Sequence, residues 1–306
     1  MNAENAEKSP LYRYRGVQKC LSEGISFLTD HFLRFVRLTL PVSIPFALIV
    51  AALIYLACDV TIVADGTVLT TVVIVLATLC MVLDAAYVAL IFRMLLLQDE
   101  GYDISRLTMR RLYSRELWPV AGKALAVSLL LTLTTAAFCF AFTYILQLPL
   151  DDELVTLASK VVGLVVLSLV AVAVLTPLVL WTPGALLGQE GFFRNLNTAY
   201  RWGWRRWGKV FSLNLLIGLI VWMVSTLLFA PAIVVGLMQR NATMSMMQGD
   251  AVDLPDSFGV WVAVIFVVSA FIYTLLLWLQ HVPMAYQYAS ARVSDEEQNG
   301  QKKPLI

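Results

Sequence analysis

Six apolar stretches, each long enough to cross a lipid bilayer, constrain this chain more than any other feature. They cover residues 38–58, 68–93, 124–148, 161–188, 210–238 and 258–289. About 20 apolar residues in a helix cross about 30 Å of hydrocarbon. A helix also satisfies every backbone hydrogen bond where no water is present. Of 306 residues, 59% are apolar and 14% charged, against about 25% charged in a soluble domain. No large soluble domain fits beside the spans.

The connections between the spans alternate in charge. Of the 22 Lys and Arg residues, all but Lys160 and Arg240 lie before the first span, after the last, or in and beside the second and fourth connections. Cytoplasmic segments of membrane proteins carry such an excess. The expected fold is an all-α integral membrane protein of the plasma (inner) membrane, with six transmembrane helices and both termini cytoplasmic. Residues 1–16 read as a polar tail, 17–291 as a single six-helix membrane domain, and 292–306 as a second polar tail. The opening residues lack the apolar stretch and cleavage site of a signal peptide.

A unit of roughly 90 residues recurs along the chain, in units of about 17–101, 102–191 and 192–291. Each unit has a basic aromatic segment, a span, a short acidic outer loop and a longer span. Phe32, Trp118 and Trp207 hold equivalent places, and Glu100-Gly101 matches Glu190-Gly191.

The segment before each odd span shows helical spacing of apolar residues. In the first it is Leu21, Ile25, Leu28, Phe32 and Phe35, with Arg34 and Arg37 on the other side. In the third it is Phe193, Leu196, Tyr200 and Trp207, with Arg194, Arg201 and Arg205 opposite. The second is more basic, with Arg110, Arg111 and Trp118, and Asp103 is placed to cap it. Three amphipathic helices lying in the cytoplasmic interface are expected, apolar side among acyl chains and Arg towards headgroups. Trp202, Trp204 and Trp207, with Arg205 and Arg206, fit an aromatic belt facing anionic lipid. These helices are open to two readings: contact with lipid or a membrane partner, or plain anchoring that sets orientation.

Asp84, in the middle of the second span, is the sharpest chemical candidate. A carboxylate there costs about 2.5–3.5 kcal/mol by insertion scales. It belongs to a cation, proton or substrate pathway, or it hydrogen-bonds a neighbouring helix through the Ser and Thr residues of SLLLTLTT in the third span. Gln280 and His281 in the sixth span read as interhelical or interfacial hydrogen-bonding residues. Pro177 and Pro283 occupy matching places in the fourth and sixth spans, and Pro183 adds a second break. They read as kinks, with the broken helices of transporters as the alternative.

Cys20, Cys58, Cys80 and Cys139 form no framework and no metal spacing, so they read as small apolar fillers. The outer loops, with Asp151, Asp152, Glu153, Asp250, Asp253 and Asp256, read as hydrated. No phosphate-binding, metalloprotease or nucleophile-elbow motif occurs, and two distant histidines assemble no catalytic set. No cofactor or metal is expected. A net charge of +1 gives no reason to expect a nucleic-acid partner.

Six spans, basic aromatic segments before the odd spans, and GFFRNLNTAYRWGWRRWGKVFSLNLL at 191–216 carry a resemblance. The chain resembles a group of bacterial integral membrane proteins that includes the membrane domain joined to some glycerophosphodiester phosphodiesterases and its stand-alone relatives. The likeness covers most of the chain and is one of layout. The phosphodiesterase domain with its His and Glu motifs is not in this sequence, so the resemblance implies a bacterial plasma-membrane location and neither catalysis nor site residues. The leading expectation is a non-enzymatic scaffold or accessory protein that contacts anionic lipid, or a membrane-protein partner, through the basic aromatic helices. The alternative is a small transporter, channel or lipid-translocating protein that uses Asp84.

Overall fold

The computed structural model describes residues 11–58, 66–147, 153–249, 255 and 257–301. The acidic-loop residues Asp151, Asp152, Asp250, Asp253 and Asp256 lie outside the described residues. The chain is helical: α1 Val17–Cys58, α2 Gly66–Asp99, a 3-10 turn Ile104–Arg106, α3 Met109–Leu112, α4 Leu117–Gln147, α5 Glu153–Leu178, α6 Trp181–Leu187, α7 Phe192–Arg205, α8 Trp207–Met247 and α9 Phe258–Gln301. Among the described residues, six helical segments are long and apolar enough to cross a membrane: α1, α2, α4, α5 with α6, α8 and α9.

Helices α1, α8 and α9 contain 42, 41 and 44 residues, so each runs about 60–66 Å at 1.5 Å per residue. That is twice the hydrocarbon thickness. The first amphipathic segment is therefore not a separate helix: α1 continues through Pro41 and Pro45 into the first span. Each proline removes one backbone hydrogen bond, but packing holds the helix through them. Phe27, Phe35, Leu38 and Phe46 bury along one side of α1. That side differs from the expected stripe, for Phe32 is 47% exposed. Gly24 explains the offset. A Cβ there would meet Pro283 Cγ at 2.7 Å, so α1 and α9 approach through a small residue that an apolar stripe does not weigh.

The second amphipathic segment also departs from expectation. It is a 3-10 turn and the single turn α3, with Ile104, Leu107 and Leu112 buried at irregular spacing. Asp103 does cap, accepting from the Ser105 N–H at 2.9 Å. Hydrogen bonds from the Ser105 backbone and hydroxyl hold its carboxyl below the ordinary range. Only the third segment gives a separate longer helix, α7. The matching Glu-Gly pairs differ locally: Gly101 has φ +91°, whereas Gly191 has φ −62° and is the N-cap of α7.

The matching prolines also diverge. Pro177 stands at the last turn of α5, and the chain restarts as α6, so the fourth span is two helices. Pro283 lies inside α9, which continues to Gln301 through most of the expected C-terminal tail. The N-terminal tail is partly docked as well. Leu11, Tyr12 and Arg15 are buried, and Ser290 Oγ accepts from the Arg15 N–H at 2.9 Å and donates to its carbonyl at 3.0 Å.

The core is concentrated at the basic end of the bundle. Leu38, Tyr87, Phe92, Met94, Leu95, Leu112, Leu180 and Leu213 are all essentially inaccessible. Towards the other end, α4, α5 and α8 turn Phe140, Tyr144, Val165, Leu169, Trp222 and Leu227 outward. Such a surface suits hydrocarbon rather than water.

Candidate functional site

The junction of α7 and α8 is built by close backbone approach. Asn195, 4% exposed, donates from Nδ2 to the Glu190 carbonyl at 2.9 Å and accepts at Oδ1 from the Glu190 N–H at 3.2 Å. These bonds close the turn ahead of α7. A Cβ on Gly184 would come within 2.5 Å of Ala199 Cβ, and one on Gly203 within 2.9 Å of Pro177 Cα. Small residues thus let α7 lie flat on α6 and on the end of α5. Its buried side is Asn195, Leu196, Ala199 and Gly203, while Phe193 is exposed.

Helix α8 starts immediately after Arg206, and the corner opens into a cleft of about 450 Å³. Trp202, Arg205, Arg206, Trp207, Gly208, Lys209 and Asp295 line it. The indoles are walls more than a belt. Trp202 packs on Tyr288 with ring centres 5.5 Å apart. Trp207 Nε1 donates to the Ala173 carbonyl at 3.3 Å, and its ring stacks on Phe211 at 4.8 Å. Trp204 stacks on Tyr200 and remains exposed.

Three cations face this cleft against one carboxylate. Arg205 pairs with Asp295 at 3.3 Å. Lys209 Nζ donates to Tyr14 Oη at 3.3 Å and lies over its ring. The Arg206 guanidinium makes no hydrogen bond or ion pair among the described residues; burial pushes it below its ordinary pKa, and Asp295 opposes that shift. An anion of phosphate size would answer both the charge excess and the unpaired donors. Lys209 joins the site from the first turn of α8 and Asp295 and Tyr14 from elsewhere in the chain; none of the three is among the residues expected from sequence.

The other basic and aromatic candidates stand apart from this cleft. Arg201 is exposed. Arg110 is exposed, and Arg111 sits over the Tyr102 ring at 3.6 Å. Arg34 donates to the Leu107 carbonyl. Trp118 is 77% exposed. One cation escaped notice in the sequence: Arg93, buried near the end of α2, pairs with Glu116 and leaves Nε without a partner. A buried charge near the end of a span, with an acid in the next connection, was the available signal.

Asp84 lies on α2 and faces a lateral cavity of about 600 Å³. Thr78, Cys80, Ser128, Thr132 and Tyr273 line it with Asp84, among apolar residues of α1 and α2. Ser128 and Thr132 come from the expected third-span segment, but the Asp84 side chain makes no hydrogen bond or ion pair among the described residues. His281 and Gln280 line a smaller hollow of about 240 Å³ with Thr135, Thr182 and Pro183. The His281 ring also meets Phe92 edge-on at 6.3 Å. The two polar hollows share no lining residue. Among the described residues, no three His, Cys, Asp or Glu side chains cluster as metal ligands do.

Fold and site together define the class: a protein whose described residues are helical, with six helices long and apolar enough to cross a membrane and a cationic cleft at the basic end of the bundle. No family model, curated protein or solved structure matches the chain.

Proposed function

We propose that the protein is a non-enzymatic membrane accessory protein of a bacterial plasma membrane, whose cytoplasmic face holds anionic lipid headgroups at the α7–α8 corner. The observation that carries this reading is the cleft of Arg205, Arg206 and Lys209 between two fixed indoles, with Arg206 unpaired. A phosphate there gains charge-assisted hydrogen bonds, and exposed Trp204 and Phe193 suit the adjoining interface. Native mass spectrometry of the detergent-solubilised protein, titrated with phosphatidylglycerol, tests this. The Arg206→Gln/Lys209→Gln variant should retain fewer bound lipids, by roughly thirtyfold in apparent affinity for two lost contacts. Equal retention by wild type and variant refutes the reading.

Asp84 supports a second reading, a transport or translocation pathway. Its carboxylate faces a cavity with three hydroxyl side chains besides Tyr273 and has no protein partner among the described residues. Proteoliposomes should then show a proton or cation flux that Asp84→Asn abolishes. No flux in the wild type, or flux indifferent to the substitution, removes this reading.

A further inference from the structure

Two cations break the charge asymmetry of the sequence, and the structure treats them differently. Lys160 donates from Nζ to the Leu146 carbonyl at 3.1 Å. Leu146 belongs to the last turn of α4, so this cation satisfies a helix end that has no intrahelical partner. Arg240 has no such role. It is exposed, and no carboxylate among the described residues pairs with it. Asp250, Asp253 and Asp256 lie outside the described residues.

Arg240 instead borders a cavity of about 610 Å³ between α1, α8 and α9. Apart from Arg240, Ser269 and Tyr273, its walls are apolar, among them Ile54, Phe229, Ala232 and Phe266. Ile54, Ile233 and Leu237 are substantially exposed, so the cavity opens sideways out of the bundle. Along α8 its lining runs from Phe229 to Arg240, about 16 Å at 1.5 Å per residue. That is one leaflet's share of a hydrocarbon core about 30 Å thick. The charge therefore sits at one end of an apolar slot that is one leaflet deep.

We infer that this cavity binds an anionic phospholipid of the leaflet opposite the basic face, its acyl chain between α1, α8 and α9 and its phosphate on Arg240. Apolar walls take the chain, and a guanidinium at the head end accepts a phosphate in bidentate fashion. A cation on the poorly charged side of a membrane protein then has a ligand rather than a topological role. The site is independent of the α7–α8 cleft and shares no residue with it.

The test uses the full-length protein in detergent, with native mass spectrometry and matched titrations of phosphatidylglycerol and phosphatidylcholine. The Arg206→Gln/Lys209→Gln protein serves as background, so that the cytoplasmic cleft does not mask the result. Adding Arg240→Gln should lower phosphatidylglycerol affinity about fivefold, the ratio for one lost basic contact with anionic lipid, and leave phosphatidylcholine unchanged. Ala232→Phe, which fills the slot, should reduce retention of both lipids. Unchanged phosphatidylglycerol retention in Arg240→Gln overturns the inference, as does equal affinity for the two lipids before that substitution. Loss of binding at the cleft alone bears on the function proposed above and not on this site.

Discussion

Gly203 offers a test in which the same chemical change has different costs at two places. In Gly203→Ala, the new Cβ would lie 2.9 Å from Pro177 Cα, 3.0 Å from its carbonyl oxygen and 3.1 Å from its Cβ. Two of these atoms are backbone and the third belongs to a fixed ring, so no side chain can swing aside. Ordinary contact begins near 3.4 Å, and α7 must move away by about half an ångström. Overpacking of this kind costs about 1–3 kcal/mol. Alanine recovers up to about 1 kcal/mol of helix propensity, which leaves a net loss of about 0–2 kcal/mol. Gly122, inside α4, meets nothing within 4 Å of an added Cβ. There only the propensity term acts, and Gly122→Ala should gain up to about 1 kcal/mol. Unfolding by SDS titration in mixed micelles, followed by circular dichroism, reads both values on one scale. The propensity gain is common to both, so the two variants should differ by the overpacking cost, about 1–3 kcal/mol. A Gly203→Ala protein as stable as Gly122→Ala refutes the claim that α7 is seated by backbone approach to Pro177.

Three further outcomes follow from contacts described above. Glu116→Gln strands the buried Arg93 charge; since Glu116 is 70% exposed, water takes up part of the loss. The expected cost is therefore about 1–2 kcal/mol rather than the 3–5 of a fully buried pair. Adding Arg93→Met should return stability towards wild type in the same SDS titration. Asn195→Ala removes both bonds that close the turn at Glu190; it should cost about 1–3 kcal/mol and speed amide exchange across residues 188–196. Ser290→Ala removes both bonds to the Arg15 backbone, and trypsin should then cut after Arg13 and Arg15 faster, with the rest of the protein intact.

The spans were legible in the sequence because apolar length alone decides them. The boundaries were not, because they depend on packing. Pro41 and Pro45 stand where an interfacial helix would turn into a span, yet burial of Phe35 and Leu38 carries α1 straight through. Pro177 and Pro283 share a sequence context, but Gly203 packs on the first and Gly24 on the second, and only the first ends a helix. The cationic cleft was half legible: Trp202, Arg205, Arg206 and Trp207 are neighbours in sequence. Lys209 was close enough to include, whereas Tyr14 and Asp295 arrive by tertiary folding that spacing does not encode. For Asp84, Ser128 and Thr132 of the third-span segment line its cavity without the hydrogen bond expected of them, and Tyr273 joins from α9.

The concentration of core at the basic end has a mechanical consequence. Helices α4 and α5 are clasped there and loosely gathered at the far end, where their side chains turn outward, whereas α8 packs there through Ala232 and Val235 against a smaller cluster on α1 and α9. Such a bundle behaves as a tuft held at its base. Bilayers of different thickness impose mismatch that helices relieve by tilting, at a fraction of a kcal/mol per ångström. Here α4 and α5, joined at the far end by the Lys160–Leu146 bond, can lean together while the clasped end keeps its shape. Thickness would then be absorbed in one leaflet only, and the cationic cleft would keep its geometry as the membrane around it changes.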